Sequence, residues 1–255
     1  MGGGSAFFVE SPCGVVYHTV RMRIPLTKYG LPQVVVYPLV ILAAMVLYPA
    51  LTRHFVPQGA ILTFWAGEAV LLALLVWSLL FFRDPDRRPP QDVSLLLAPA
   101  DGKITDVETL AETDLMPGPV LRVGIFLSIF NTHINRAPCD VTVEEITYRE
   151  GRYVNALKPL AAKVNESNAL ALVRTAEPRD RLVVRQISGA VARRIVCAAR
   201  KGQQLAGGEP FGMIKFGSRT ELYLPADGDI ECLVQVGDKV KAGVTPLARY
   251  KICRA

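Results

Sequence analysis

The sequence predicts a mainly β fold with some α structure, in which an apolar helical hairpin precedes a barrel-sandwich-like domain. Two apolar segments, 34–51 and 61–82, lie in the first third of the chain. Short strand-like runs separated by glycine and proline fill most of the remainder. The motif Pro-Ala-Asp-Gly also occurs twice, at 99–102 and 225–228, each time as a turn before a strand-like run.

The two apolar segments approach the length of about 20 residues that spans a bilayer core. Pro38, Pro49 and Glu68 weaken an ideal span, so a pair of buried core helices or a hairpin lying in the membrane interface also fits. By the positive-inside rule, basic residues on the outer sides of the pair predict that both chain ends and the following domain face the cytosol. These residues are Arg21, Arg23, Lys28, Arg83, Arg87 and Arg88.

A basic, proline-rich stretch at 83–90 marks the predicted domain junction. The chain therefore divides into an N-terminal segment 1–33, the apolar hairpin 34–82 and a β-rich domain 83–255. The strand candidates in that domain are 94–97, 103–108, 120–130, 141–148, 182–187, 191–198, 213–216 and 220–224.

Composition argues against several classes of function. The positive residues behind the net charge of +6 are spread through the chain and cluster most visibly beside the apolar segments, which favours anionic lipid headgroups over nucleic acid. Five cysteines without CxxC spacing indicate reduced, mostly structural thiols. The three histidines form no zinc-binding pattern, so no metal is predicted.

The pair Gly217-Ser218 lies between the strand-like runs 213–216 and 220–224, where a tight turn is predicted. An isolated Gly-Ser bend is usually structural. The reactive alternative is that the Ser218 hydroxyl attacks the carbonyl of Gly217, because glycine is the least hindered residue that can supply it. Elimination and hydrolysis would then convert Ser218 into a pyruvoyl group, an electrophile that condenses with a substrate amine.

His133 follows the apolar run 120–130 and is the only histidine in the β-rich domain. A histidine at the end of a strand is often structural. A self-processing serine, however, requires a proton acceptor, and a later carbanion requires a proton donor. His133, oriented by a carboxylate such as Asp101, meets both needs. Asp101 also fits a purely turn-forming role.

Five ordered motifs together resemble the phosphatidylserine decarboxylase family, in its shorter subgroup of proenzymes. They are FFRDPDR at 81–87, APADGKI at 98–104, FNTHINRAP at 130–138, KFGSRTELYLP at 215–225 and VGDKVKAG at 236–243. The apolar N-terminal region of the chain also resembles that of these proenzymes in character. Longer relatives carry two histidines in the third motif, one linked to self-cleavage and one to decarboxylation. Here only His133 is present, with Asn135 and Arg136 near the second position, so either His133 serves both steps or another residue has one of these roles.

The resemblance implies autocatalytic cleavage between Gly217 and Ser218, which gives a large chain 1–217 and a small chain 218–255 that form a heterodimer. It carries the processing triad of the family to Asp101, His133 and Ser218. Ser218 becomes a covalent pyruvoyl group, without a metal or a dissociable cofactor. The implied reaction converts the membrane phospholipid phosphatidylserine to phosphatidylethanolamine and CO2 through a Schiff base, on the cytoplasmic side of the cell membrane.

Two other functions remain compatible with the residues. A pyruvoyl enzyme that acts on a soluble amino acid would share the chemistry of Ser218 but would gain nothing obvious from the apolar hairpin. A membrane-anchored adaptor without catalysis would explain both the hairpin and the repeated Pro-Ala-Asp-Gly motif. The second copy of this motif resembles half of a lipoyl- or biotinyl-type barrel sandwich, although the modified lysine of such carriers is missing. The adaptor would remain an intact chain.

Overall fold

The structure, a computed structural model, describes residues 26–55, 61–158, 160–190, 194–215, 217–226 and 228–251. Most of the predicted N-terminal segment, including Arg21 and Arg23, lies outside these residues, and so does Asp227. A short 3₁₀ turn, Lys28–Gly30, precedes helix α1, Gln33–Phe55, and helix α2 follows at Ile61–Phe81. Pro38 and Pro49 both lie inside α1 without ending it.

The two helices pack against each other and leave most of their apolar side chains exposed. Tyr48 of α1 stacks on Phe64 of α2, with ring centroids 5.8 Å apart. In contrast, Val46 is 74% exposed and Leu62 is 82% exposed. Both helices are long and apolar enough to cross a membrane. Because so much exposed apolar surface is unfavourable in water, the hairpin is compatible with membrane association.

The described part of the remaining chain contains fourteen strands and the one-turn helix α3, Ala161–Val164. The strands are β1 Leu95–Leu97, β2 Gly102–Leu110, β3 Val120–Leu127, β4 Ile134–Arg136, β5 Val141–Arg149, β6 Ser167–Arg174, β7 Arg181–Ile187, β8 Arg194–Cys197, β9 Gln204–Leu205, β10 Pro210–Lys215, β11 Ser218–Pro225, β12 Ile230–Cys232, β13 Lys239–Val240 and β14 Pro246–Tyr250. The predicted mainly β fold behind an apolar helical hairpin is confirmed.

The strands form one large sheet and two small ones, and every strand pair is antiparallel. The eight-stranded sheet has the order β13-β2-β3-β11-β7-β6-β5-β9 and curls into a half-barrel. The three-stranded sheets are β1-β14-β12 and β4-β10-β8. The main hydrophobic core combines side chains from all three sheets, for example Leu96, Ile125, Phe211 and Leu222.

Strand β6 is the longest strand that the sequence pattern does not predict. Seven of its eight residues are buried, because one face contributes Leu170 and Leu172 to the main core while Ala169 and Ala171 belong to a second cluster on the other face. A strand that is buried on both faces lacks the alternation of polar and apolar residues that reveals a half-buried strand.

The base of the helical hairpin is attached to the β domain. The backbone N–H of Thr27 donates to the Phe82 carbonyl at 2.9 Å, and the Tyr29 hydroxyl donates to the Pro210 carbonyl at 2.7 Å. Phe81 and Phe82 are buried in a cluster that also contains Met213 of β10. The end of the hairpin therefore lies beside the strand that leads to Gly217 and Ser218.

Candidate active site

Gly217 lies where the chain passes from one sheet to another. Strand β10 pairs with β4 and β8, whereas β11, which begins at Ser218, pairs with β3 and β7. The two strands around the predicted turn therefore do not pair with each other. Gly217 has a φ of +61°, a left-handed conformation that glycine adopts without the steric cost of a side chain. This residue redirects the chain between the sheets.

Ser218 is fully buried, and its hydroxyl has no hydrogen-bond partner among the described residues. The residue lies opposite Leu127 at the end of β3. A buried hydroxyl without a partner is uncommon because it loses its hydrogen bonds to water and gains none in return. It is also unencumbered as a nucleophile, since no group in the described part of the chain holds its proton or its lone pairs.

His133 contacts the residue before Ser218. Its Nε2 accepts a hydrogen bond from the Gly217 N–H at 3.4 Å, while its Nδ1 lies 3.0 Å from the Asn131 carbonyl. Because a carbonyl only accepts and an amide N–H only donates, Nδ1 carries the proton and Nε2 presents a lone pair. The structure thus places the basic nitrogen of His133 against the Gly217 N–H, one residue before Ser218.

Burial keeps the His133 ring neutral. The ring is completely inaccessible to solvent and packs on Phe81, with ring centroids 4.5 Å apart. Burial lowers the pKa of His133 to about 4, and the positive charge of Arg83 also lowers it, although the hydrogen bond to Asn131 acts in the opposite direction. At neutral pH the side chain is therefore an uncharged proton acceptor.

Asp101 is engaged by groups other than His133. Its Oδ2 accepts a hydrogen bond from Arg87 at 2.8 Å, and its Oδ1 accepts one from the Ala242 N–H at 2.7 Å. The hydrogen bond that orients His133 comes from the Asn131 carbonyl instead. The structure brings Gly217, Ser218 and His133 together, while the orienting role of Asp101 stays a prediction.

Gly189 approaches the carbonyl of Gly217 closely. A Cβ at Gly189 would overlap the Gly217 carbonyl oxygen and would lie 3.1 Å from its carbonyl carbon. Gly189 is not one of the described glycines with a positive φ, so space rather than backbone conformation requires a glycine here. The sequence does not single out Gly189, because a glycine after a strand is an ordinary turn signal.

A chain of buried amides fixes the face of β11 that carries Ser218. Asn168 donates to Gln186 at 3.0 Å, Gln186 donates to Asn135 at 2.9 Å, and Asn135 donates to the Thr220 hydroxyl at 3.0 Å. All four side chains are buried, and Thr220 shares a strand face with Ser218. Asn135 lies in the same sequence motif as His133, and Thr220 lies in the motif around Ser218, whereas Asn168 and Gln186 lie outside the five motifs.

Arg136 and Arg219 are both committed to ion pairs within the protein. Arg136 donates to Asp84 at 2.7 Å and to the Gly208 carbonyl at 2.9 Å. Arg219 contacts Asp106 at 2.6 Å. Neither basic group is therefore free to hold an anionic substrate in this structure.

Both ends of the apolar hairpin contact the site. At the start of α1, Gln33 accepts a hydrogen bond from the Lys215 ammonium at 2.7 Å. Burial and the nearby charge of Arg194 lower the pKa of Lys215. At the other end, Phe81 packs on His133 and Arg83 donates to the Phe130 carbonyl at 2.9 Å. A membrane-associated hairpin would thus hold this site close to the membrane surface.

The chain is similar to known proteins over most of its length. The family model described as phosphatidylserine decarboxylase matches residues 74–248. The phosphatidylserine decarboxylase proenzyme of Carboxydothermus hydrogenoformans is 42% identical over 193 residues, which cover 76% of this chain and 88% of the relative. The proenzyme of Rhodopirellula baltica is 41% identical over 236 residues, 91% of this chain and 90% of the relative. The protein is therefore an enzyme of the decarboxylase class. The chain belongs to the phosphatidylserine decarboxylase family.

Proposed function

We propose that this chain is a proenzyme that cuts itself between Gly217 and Ser218 and then decarboxylates phosphatidylserine to phosphatidylethanolamine and CO2. The arrangement around residues 217 and 218 supports this proposal. A buried serine hydroxyl that has no partner among the described residues follows a left-handed glycine, and the glycine N–H donates a hydrogen bond to a neutral histidine. The relatives that share 41–42% of their residues with this chain are named as proenzymes of that decarboxylase.

The residues present can generate the pyruvoyl group. In the first step the Ser218 Oγ attacks the carbonyl carbon of Gly217, and Nε2 of His133 releases the long hydrogen bond from the Gly217 N–H and accepts the hydroxyl proton. The peptide nitrogen leaves the tetrahedral centre with the proton that His133 returns, so an ester replaces the amide and His133 is neutral again. Transfer of the Ser218 Cα proton to neutral His133 then expels the Gly217 carboxylate as the end of chain 1–217. Hydrolysis of the remaining enamine releases ammonia and leaves a ketone at residue 218.

The pyruvoyl group fits the position of Ser218, because that side chain is buried, small and not hydrogen-bonded by the described residues. It supplies a ketone that condenses with the substrate amine and accepts the electrons of the breaking carbon–carbon bond. The surrounding residues exclude water and keep β11 in place. His133 lies beside residue 217. From there it can donate a proton to the substrate carbon that has lost CO2.

We further propose a functional division into the segment 1–33, a membrane hairpin 34–82 and a catalytic domain 83–255 on the cytoplasmic side of the cell membrane. The chains 1–217 and 218–255 would remain associated, because β11 lies inside the large sheet and pairs with β3 on one side and β7 on the other. The apolar hairpin would hold the site next to the bilayer that contains the substrate.

Intact mass spectrometry of the purified protein tests this proposal. We expect two chains divided after Gly217, the smaller one lighter by one ammonia than an unmodified 218–255 peptide. The same preparation should release CO2 from phosphatidylserine vesicles and not from free serine. A single chain of 27.9 kDa that persists after reconstitution in lipid would overturn the proposal and favour the adaptor. Equal activity on free serine would instead indicate a soluble substrate.

A Gly189→Ala substitution tests whether the position of the Gly217 carbonyl limits self-cleavage. The added Cβ must displace that carbonyl, and a shift of ~1 Å at a reacting group can slow a reaction about 100-fold. We therefore expect self-cleavage of the newly synthesised chain to slow about 10- to 100-fold. Gel electrophoresis of samples taken over time measures the cleavage rate.

Gly207→Ala is the matched control, because a Cβ there would make only ordinary contacts at 3.4–3.5 Å. This variant should be cut at the wild-type rate. If Gly189→Ala is also cut at that rate, the close approach of Gly189 to the Gly217 carbonyl has no role in processing.

A further inference from the structure

Arg219 follows the proposed cleavage site directly, and its buried side chain lies in an ion-pair cluster. Its Nη2 contacts both oxygens of Asp106, at 2.6 and 2.7 Å. Its Nε donates to Glu221 at 2.9 Å, and its Nη1 donates to the Thr105 hydroxyl at 2.9 Å. Each nitrogen of the guanidinium therefore has a partner, and the residue is only 7% exposed. We name Arg219, Asp106, Glu221 and Thr105 the Arg219 clamp.

The Arg219 clamp connects strands that are not neighbours. Arg219 is on β11 and Asp106 is on β2, and β3 lies between them. The ion pair between Arg219 and Asp106 passes over β3 at Gly124. On one side Gly124 lies opposite Glu221 of β11, and on the other side it lies opposite Asp106 of β2. A Cβ at Gly124 would overlap both the Arg219 guanidinium and the Asp106 carboxylate. The missing side chain at Gly124 is what lets the two charged groups meet.

The charges of the clamp depend on one another. Burial acts to raise the pKa of Asp106, yet the hydrogen bonds from Arg219 and Thr105 outweigh burial and lower that pKa. Glu221 is completely buried and also accepts a hydrogen bond from the Tyr223 hydroxyl at 2.7 Å. Removing one partner of a buried, hydrogen-bonded ion pair is costly because it leaves an uncompensated charge. The position of Arg219 is therefore tightly held.

We propose that the Arg219 clamp is a positioning device, which keeps residue 218 in the active site after the chain has been cut. This role rests on the proposed cleavage between Gly217 and Ser218. Before cleavage, the covalent bond to Gly217 holds Ser218 in place. After cleavage, residue 218 is a chain end, and chain ends fray unless they are tied down. The side chain of residue 218 is consumed in forming the reactive group, so Arg219 carries the first side chain that can anchor this end.

Hydrogen exchange in cut and uncut protein separates this role from a general structural one. Arg219→Met is compared in the normal background, where the chain is cut, and in a Ser218→Ala background, where it is expected to stay uncut. In the cut protein we expect the amides of 219–221 to exchange about ten-fold faster and the turnover of phosphatidylserine to fall by a similar factor. In the uncut protein we expect the exchange of these amides to change less than about three-fold, since the chain is tethered on both sides.

Arg181→Met is the matched control, because Arg181 also makes a 2.7 Å ion pair between strands of the large sheet, with Glu144. It should change neither the exchange of the amides of 219–221 nor turnover. If Arg219→Met does not fold, Asp106→Asn provides a second variant. It removes one charge but keeps a hydrogen-bond acceptor. It should show the same difference between cut and uncut protein.

The intact mass of each preparation makes the outcomes distinguishable. If wild-type protein is not cut at all, both the proposed function and the clamp are overturned. If wild type is cut but the Arg219→Met substitution accelerates exchange equally in cut and uncut protein, the clamp has only a structural role. Unchanged exchange in the cut variant would also overturn the positioning role, while leaving the proposed function intact.

Discussion

Replacing Ser218 with alanine is expected to give a single uncut chain of 27.9 kDa and to abolish decarboxylation. The substitution removes the buried hydroxyl that attacks the Gly217 carbonyl in the proposed mechanism, so neither the cut nor the ketone can form. We expect turnover of phosphatidylserine to fall by at least about 10⁴-fold, because the group that accepts the electrons of the breaking bond would be missing. Intact mass and CO2 release from vesicles measure the two effects.

Ser188→Ala is the closest control that the chain offers. The Ser188 hydroxyl is as buried as that of Ser218 and likewise has no partner among the described residues. Ser188 directly follows Ile187, the residue of β7 that lies opposite Arg219. Its alanine variant should be cut after Gly217 at the wild-type rate. Cleavage of the Ser218→Ala chain at the same peptide would contradict the proposed nucleophile.

Replacing His133 with glutamine is expected to slow self-cleavage by about 10²- to 10⁴-fold, the usual contribution of a positioned general base. A glutamine oxygen can still accept the Gly217 N–H, but an amide cannot take up the serine proton at neutral pH. The uncut precursor should therefore accumulate after synthesis in the presence of lipid vesicles. Cleavage of His133→Gln at the wild-type rate would exclude His133 as the proton acceptor.

The pH dependence provides an independent test of the same histidine. Because the pKa of folded His133 is about 4, the wild-type cleavage rate should be constant between pH 6 and 8 and fall only as the pH approaches 4. An ordinary, solvent-exposed histidine base would instead lose activity around its usual pKa of 6.5. A rate that halves near pH 6.5 would contradict a neutral, buried imidazole.

Burial of His133 also affects stability. An unfolded chain binds a proton on this histidine below pH 6.5, whereas the folded chain resists protonation until about pH 4. The free energy of unfolding should therefore fall as the pH decreases through this window, by up to about 3 kcal/mol for this one group. In the uncut Ser218→Ala background, adding His133→Gln should make the loss of stability between pH 6.5 and pH 4 smaller.

Local pattern was sufficient for the parts of the fold that depend on neighbouring residues. The apolar segments 34–51 and 61–82 predict helices where α1 and α2 occur. The runs 103–108, 141–148 and 182–187 lie inside β2, β5 and β7. Strand β6 has no such signal, because the rest of the protein covers both of its faces. Whether a strand is buried on one face or on two is decided by residues distant in sequence.

The candidate site divides in the same way. The motifs around His133 and around Gly217-Ser218 are recognisable as short stretches of sequence. They also indicate the family to which the similar proteins belong. The motifs do not reveal that Asn131 rather than Asp101 makes the hydrogen bond to Nδ1 of His133, nor that Asp101 contacts Arg87 and Ala242. Those partners depend on how the loops between strands are arranged.

The sequence by itself determined the apolar hairpin, the β-rich character of the remaining chain and the residue types available for chemistry, because these follow from periodicity and from short motifs. Only the tertiary structure decided which of these residues meet. The contact between His133 and Gly217 joins residues 84 positions apart, and the contact between Arg219 and Asp106 joins residues 113 positions apart. Such pairs form because antiparallel strands bring distant segments into register, and because glycines at 124, 189 and 217 leave the space or the backbone freedom that the close approaches require.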